Sequence, residues 1–483
     1  MFSKLGKSST EEVGYEITNE IEPEFEKKQS TLRNFGAVFT GGCAFVSDGY
    51  QQGCITMINA LLASHYKAYD GAWKTRVSNA ALVSNIIGQV LVGVFVDRIG
   101  RKPAFSLSTA FIILGSILCA CASGTSVQGL LWMLTISRGI AGAGVGAEYP
   151  TSASSAIEAA SERLGKKKRL VPFILSTNVP IGFGLPFATI VFLIFFSIWG
   201  EDHPNGIWRS CFAFGAILPL AIYYFRMKMD HAEVYKKNAI QSKVPYILMV
   251  KKLWKEIIGV SLMWFMMDFC IYPNNIFSAS VLQVAVPHAS IKETAEWQLF
   301  LGSFAFFGAI IGILLFRYLE RKQMIIIGFV LYGIISIVVG AAYDHLVKIP
   351  ALFVILYALL NIVMYAGPAD FQSVVASECY PTAVRGTLYG FAAAVGKAGA
   401  AVGVEAFTPI QTNLGKKYTF YVSGAASILG AILVLFLVPD TSKVDFEELD
   451  QEFNSYLLAN GWEGNIGEKE DKRHIKAIDI NQG

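Results

Sequence analysis

An all-α membrane fold is what this sequence predicts: twelve transmembrane helices in two six-helix bundles, with both termini in the cytoplasm. Three observations carry the prediction. Of 483 residues, 53% are hydrophobic and 16% charged, where soluble domains carry about 25% charged residues. Apolar runs of membrane-spanning length follow one another from Asn34 to Pro439, about twelve in all. Basic clusters recur in every second loop: Arg98, Arg101, Lys102; Arg163, Lys166, Lys167, Lys168, Arg169; Arg226, Lys228, Lys236, Lys237; and Arg317, Arg321, Lys322. The positive-inside rule places those loops and both ends in the cytoplasm, while opposite loops such as 201–206 are short and not basic.

The spans cover approximately 35–63, 76–96, 104–123, 128–158, 170–199, 208–226, 254–285, 296–316, 323–343, 350–377, 386–410 and 418–438. They divide the chain into a cytoplasmic tail (1–33), a first bundle (34–226), a cytoplasmic linker (227–253), a second bundle (254–439) and a polar, solvated tail (440–483). The first 33 residues contain no apolar signal core, so span 1 itself directs insertion. Seven cysteines (43, 54, 119, 121, 211, 270, 379) lie mostly inside apolar segments, without C-x-x-C spacing or a His/Cys cluster. Neither a metal site, a disulfide framework nor a cofactor is expected. No nucleophile–base set or phosphate loop points to an enzyme, and nothing points to nucleic acid.

Span 1 contains F-V-S-D-G-Y-Q-Q-G, in which Asp48 and Gln52, four apart, share a face. A polar face in an apolar span points into the bundle; Asp48 either handles a proton or is a structural carboxylate. Span 2 ends in G-V-F-V-D-R-I-G-R-K-P, where Asp97, Arg98, Arg101 and Lys102 form a charged latch. That motif resembles the loop between helices 2 and 3 of the major facilitator superfamily. A weaker echo stands 219 residues on (312 − 93): Gly312, Arg317 and Arg321 match Gly93, Arg98 and Lys102, while Asp97 becomes Phe316. The chain is therefore an internal repeat. The resemblance implies two bundles around a midplane site that work by alternating access.

Span 4 reads S-R-G-I-A-G-A-G-V-G-A-E-Y-P-T-S. Gly139, Gly142, Gly144 and Gly146 allow close helix packing, and Glu148 and Tyr149 are expected at a central cavity, before Pro150 breaks the local ladder. Arg138 either bonds carbonyls of a neighbouring helix or takes part in proton coupling. Glu158, Arg163 and Arg169 read as gate ion pairs. In span 5, Asn178 beside Pro180 either presents an amide to substrate or caps a kink. Span 7 carries Trp264, Asp268 and Tyr272 at intervals of four, a stripe suited to a cavity, before Pro273, Asn274 and Asn275 break the helix. Span 10 holds Asp370 and ends with Glu378 and Arg385, expected to pair as the second gate. In span 11 Lys397 stands among Ala, Val and Gly, either as partner to the carboxylates or to neutralise an anionic substrate. Glu405 has no assigned role.

One fixed cation among several carboxylates suits an anion only if some carboxylates carry protons, a physical reason for proton coupling through Asp48 or Glu148. G-A-E-Y-P-T-S, W-x-x-x-D-x-x-x-Y and G-K-x-G resemble the phosphate:proton symporters, although Glu148 stands where those usually have Asp. A closer resemblance is to the fungal glycerophosphoinositol permease group. It runs through S-D-G-Y (47–50), R-V-S-N-A-A-L-V (76–83), G-V-G-A-E-Y-P-T-S (144–152), A-G-P-A-D (366–370), G-V-E-A-F (403–407) and Y-L-L-A-N-G-W-E-G (456–464). It implies proton-driven uptake of glycerophosphodiesters across the plasma membrane by a protein functional as a monomer. Tyr149, Asn178, Trp264, Asp268, Tyr272, Lys397, Asp370 and Gln52 would contact substrate, with Gln51 and Asn274 as further headgroup partners. Inorganic phosphate:proton symport is the alternative. A sugar carrier is disfavoured because span 6 is followed by H-A-E-V-Y-K-K (231–237) rather than the sugar-porter pattern. A receptor that kept the fold is the reading from another class. An inositol headgroup calls for many hydrogen bonds, and a choline headgroup for an aromatic cage; both stay open.

Overall fold

A chain segment in hydrocarbon must satisfy its own N–H and C=O groups, and the apolar runs do so as helices. The computed structural model describes residues 36, 38–40, 42, 44–99, 101–164, 169–227, 245–285 and 289–462, and no strand occurs among them. The tail 1–33, linker residues 228–244, Lys166 to Lys168, the Arg98 side chain and the tail beyond 462 lie outside the described residues. The helices are α1 (Phe45–His65), α2 (Gly71–Ile99), α3 (Arg101–Ala120), α4 (Val127–Leu164), α5 (Leu170–Ser176), α6 (Asn178–Trp199) and α7 (Pro204–Met227). They continue with α8 (Tyr246–Ile276), α9 (Ser278–Ala285), α10 (Ile291–Leu315), α11 (Arg321–Ala341), α12 (Tyr343–Leu346), α13 (Pro350–Met364), α14 (Asp370–Glu378), α15 (Arg385–Asn413), α16 (Lys417–Leu437) and α17 (Phe446–Ala459).

Eleven membrane-crossing units are long and apolar enough among the described residues, counting α5 with α6 and α13 with α14 as one each. The 21 residues of α1 would span ~31 Å, but Asp48, Gln51, Gln52 and Asn59 make it too polar to join them. Large apolar side chains such as Ile136, Ile198, Leu220 and Phe436 are exposed on the outside of the helix set, as a lipid-facing surface requires.

Small residues decide how closely the helices meet. The Gly146 α-carbon presses against the backbone of Asn85, which seats α4 on α2, and Gly49 does the same for α1 against Ile181 on α6. Helices α1–α7 pack among themselves, as do α8–α16. Two helix pairs make most of the seam between these sets, α2 against α15 and α6 against α10, with α4 against α15 and α1 against α8 adding to it. Counted as spans the two main pairs are 2 with 11 and 5 with 8, which a six-span repeat interchanges.

Local breaks differ from expectation. Pro150 does not interrupt α4, which runs on to Leu164. The span at 170–199 instead breaks at Thr177 (φ −116°, ψ −71°). Asn274 and Asn275 remain helical, and α8 ends at Ile276. Residues 246–252, expected in the linker, form a helical arm kinked at Leu253 (φ −110°, ψ 16°). A π-helical segment, Tyr365–Ala369, joins α13 to α14. The tail expected to be solvated from 440 onward is folded as far as Trp462: Asp445 caps α17 by accepting from the Glu447 amide, and Phe446, Phe453 and Leu457 are buried.

Candidate substrate site

On α8, Trp264, Asp268 and Tyr272 recur every four residues and share one stripe. Facing them, α15 is built from Ala and Gly around Lys397, so one long side chain reaches across the space that small neighbours leave. Lys397 Nζ donates to Asp268 Oδ2 at 2.9 Å. The ammonium also lies over the rings of Tyr272 (4.4 Å) and Tyr149 (4.8 Å), a favourable placement for a cation. Asp268 Oδ1 has no partner. Across the cavity, Tyr149 Oη donates to Asp48 Oδ2, and Gln52 Nε2 donates to Asp48 Oδ1 at 2.7 Å. Asn178 closes one wall, donating to the Asp370 carbonyl and to Ser373 Oγ, each at 2.8 Å.

The cavity therefore gathers Gln52, Tyr149, Asn178, Trp264, Asp268, Tyr272 and Lys397 as expected, with Asp48 touching it through Tyr149 and Gln52. Three expectations are corrected. Glu148 does not reach the cavity: one residue from Tyr149 is about 100° around the helix, and Glu148 Oε1 accepts from Arg226 Nη1 at 3.2 Å inside the first helix set. Asp370 presents only its carbonyl; its carboxylate turns behind the wall toward α10, where a β-carbon on Gly312 would lie 2.5 Å from Oδ2. Both its oxygens lack partners. Asn274 also turns away, donating to Tyr332 Oη at 2.7 Å. Conversely, Gln372, Ser373 and Tyr389 line the cavity and were missed. Tyr389 stands eight residues before Lys397 on the same face of α15, and that spacing is the signal that could have found it.

A second polar cluster lies at the end carrying the basic loops. Asp97 Oδ1 accepts from the Gly386 amide (3.1 Å) and Oδ2 from the Thr387 amide (2.6 Å), capping the N-terminus of α15. Glu158 Oε1 accepts from Arg101 Nη2 (2.7 Å) and Arg385 Nη1 (3.4 Å). Glu378 Oε1 accepts from Arg169 Nη2 (2.9 Å) and Arg321 Nη2 (3.1 Å), and its Oε2 accepts from Thr441 Oγ1 (2.9 Å). The expected pairing of Glu378 with Arg385 is thus corrected: Arg385 takes Glu158 from the first helix set, and Glu378 takes Arg169 from the first set and Arg321 from its own. A 3₁₀ turn, Thr382–Val384, separates them and aims the two side chains apart. The Phe446 ring of α17 lies between Arg169 (4.1 Å) and Arg385 (4.2 Å). At the opposite end Thr75 and Thr408 share a hydrogen bond of 2.5 Å, and Asn79 Nδ2 donates to Glu405 Oε2 at 3.2 Å.

Two helix sets exchanging partners across a seam, with a polar cavity enclosed between them, define a membrane transporter of the major facilitator kind rather than an enzyme. The proton:xylose symporter XylE with bound 6-bromo-6-deoxy-D-glucose shares this fold, with a TM-score of 0.72 at 18% identity over 88% of this chain and 100% of that one. The chain belongs to the sugar (and other) transporter family, which it matches over residues 34–453. It is 41% identical to glycerophosphoinositol transporter 1 of Saccharomyces cerevisiae, over 94% of this chain and 89% of that protein. It is equally 41% identical to glycerophosphoinositol permease 1 of Candida albicans, over 91% of this chain and 85% of that one.

Proposed function

We propose that this chain is a proton-coupled symporter that imports glycerophosphodiesters across the plasma membrane by alternating access, working as a monomer with α1 as its twelfth spanning helix. The observation that carries the reading is the Lys397–Asp268 pair, buried among three aromatic donors. A phosphodiester carries one negative charge and needs a cation and hydrogen-bond donors; Lys397, Tyr149, Tyr272 and Trp264 supply both. An anion that takes Lys397 leaves the cavity with uncompensated negative charge, and a proton on a carboxylate there restores neutrality. That exchange couples the two fluxes. In this reading Asp48 rather than Glu148 carries the transported proton, because Asp48 touches the cavity while Glu148 is held by Arg226. The substrate class follows the two fungal relatives, to which the chain is 41% identical.

The basic loops place the ion-pair network on the cytoplasmic face, with both termini there. Asp97, Arg101, Glu158, Glu378 and Arg385 then form the inner gate, in which Arg98 is the further member expected from the sequence. The test is uptake of radiolabelled glycerophosphoinositol by purified protein in liposomes, with and without an inward proton gradient. Gradient-driven uptake that excess phosphate barely inhibits, and that Lys397→Ala abolishes, is the expected result. Phosphate uptake without diester flux would make the protein a phosphate symporter instead.

A further inference from the structure

A second, narrow chamber adjoins the cavity, and Gln52, Tyr272 and Asn275 wall both spaces. It lies between α1, α2 and α4 of the first helix set, with Tyr272, Asn275 and Ile276 of α8 closing it from the second. Its polar groups are Gln51, Asn85 and Arg138, with Asp48 at the boundary. All four are buried, with no more than 5% of any residue exposed. Two of them are incompletely paired: Asn85 Oδ1 and Arg138 Nε have no partner. Arg138 Nη1 reaches only Gln51, at 3.3 Å to its carbonyl and 3.5 Å to Oε1. Among the described residues no carboxylate pairs with this guanidinium. Both oxygens of nearby Asp48 are taken up by Gln52 and Tyr149. Buried groups in this condition are costly to keep, and they line a space that shares a wall with the anion site.

We propose that this chamber is the headgroup subsite and that it takes a neutral polyhydroxyl headgroup while the phosphodiester sits at Lys397. The proposal rests on the transport reading above. A polyol hydroxyl both donates and accepts, and the chamber answers with amide donors and acceptors on Gln51, Gln52 and Asn85 and with donors on Arg138. A trimethylammonium headgroup needs the opposite surroundings, aromatic faces and no fixed cation; Tyr272 is the chamber's one aromatic ring, and Arg138 repels it. The space is narrow with both ends of the molecule closed, so the headgroup enters as the helix sets part. Asn85 and Arg138 thereby become specificity-determining residues on α2 and α4, remote from the anion-binding lysine.

The experiment measures KM in liposomes for glycerophosphoinositol, glycerophosphocholine and inorganic phosphate, for the wild-type chain, Asn85→Ala and Arg138→Gln. Wild type should favour the inositol diester. Each variant should raise its KM about tenfold, the worth of roughly one buried hydrogen bond, and leave phosphate KM unchanged. Arg138→Gln should also narrow the preference against choline. Equal changes for all three solutes, or none, would overturn the subsite, as would a wild-type preference for choline. A wild-type chain that carries phosphate and no diester would fail the transport reading instead, a separate outcome.

Discussion

The ion-pair network and the central cavity are both buried clusters of charge, yet they connect the molecule differently. Each carboxylate of the network holds a donor from the opposite helix set: Asp97 the amides of α15, Glu158 Arg385, and Glu378 Arg169. In the cavity the charged groups pair within one set, and it is the neutral Asn178 amide that crosses, to the Asp370 carbonyl and Ser373. Lys397 pairs with Asp268 inside the second, and Asp48 with Tyr149 and Gln52 inside the first. Charged pairs therefore cross between the sets at one end, while in the middle a neutral amide crosses and the charges do not. Bonds that cross hold a conformation; in the middle polar atoms such as Asp268 Oδ1 are left without a partner, and in the proposed function it is the substrate that takes them up.

The most severe way to break this contrast is Lys397→Ala. Removing one partner of a buried pair costs about 3–5 kcal/mol, so folded yield should fall and uptake vanish. Lys397→Ala combined with Asp268→Asn should recover the yield, read by size-exclusion chromatography, without recovering uptake. Next in size, Glu158→Gln or Glu378→Gln removes a crossing charge. Amide hydrogen exchange over residues 382–387 should accelerate at least tenfold, about 1.4 kcal/mol, with uptake reduced rather than abolished. Unchanged exchange would show that the crossing pairs do not hold that face shut.

Phe446→Ala should act more weakly, since a cation–π contact is worth about 0.5–2 kcal/mol. It should speed exchange in α17 and leave substrate KM unchanged. Docking of α17 should also depend on pH. Burial pushes the Asp450 carboxyl above its usual 3.8, against the opposing pull of Arg385 and the Thr382 amide. A raised folded value means that protonation favours the docked state. The stabilisation is fully present below 3.8 and is lost as pH rises through the raised value. Exchange in α17 should therefore slow on acidification, and Asp450→Asn should remove that part of the dependence. Smallest of all, Asp370→Asn should leave the diester KM unchanged, because its carboxylate stands behind the cavity wall; a raised KM would return it to the site.

Much of the fold was legible because bilayer thickness imposes a length on each apolar run, and basic loops alternate with it. The stripe Trp264, Asp268, Tyr272 was legible because spacing by four is a property of one helix, and Lys397 because a lone cation in an Ala/Gly helix has few other uses. The count of spans was less so, since the polar side chains with which α1 faces the interior also lower its hydropathy.

By itself, then, the sequence determined what each helix carries and on which of its faces: membrane spans, a polar stripe, a charged latch and a repeat. Tertiary structure alone decided which face meets which neighbour. It turned Tyr149 into the cavity and Glu148 toward Arg226, set Asp370 against Gly312, and sent Arg385 to Glu158 and Glu378 to Arg169. It also docked α17 beneath both helix sets through Phe446. The reason is physical: periodicity along a helix is local, whereas its rotation and its partners follow from packing between residues hundreds of positions apart.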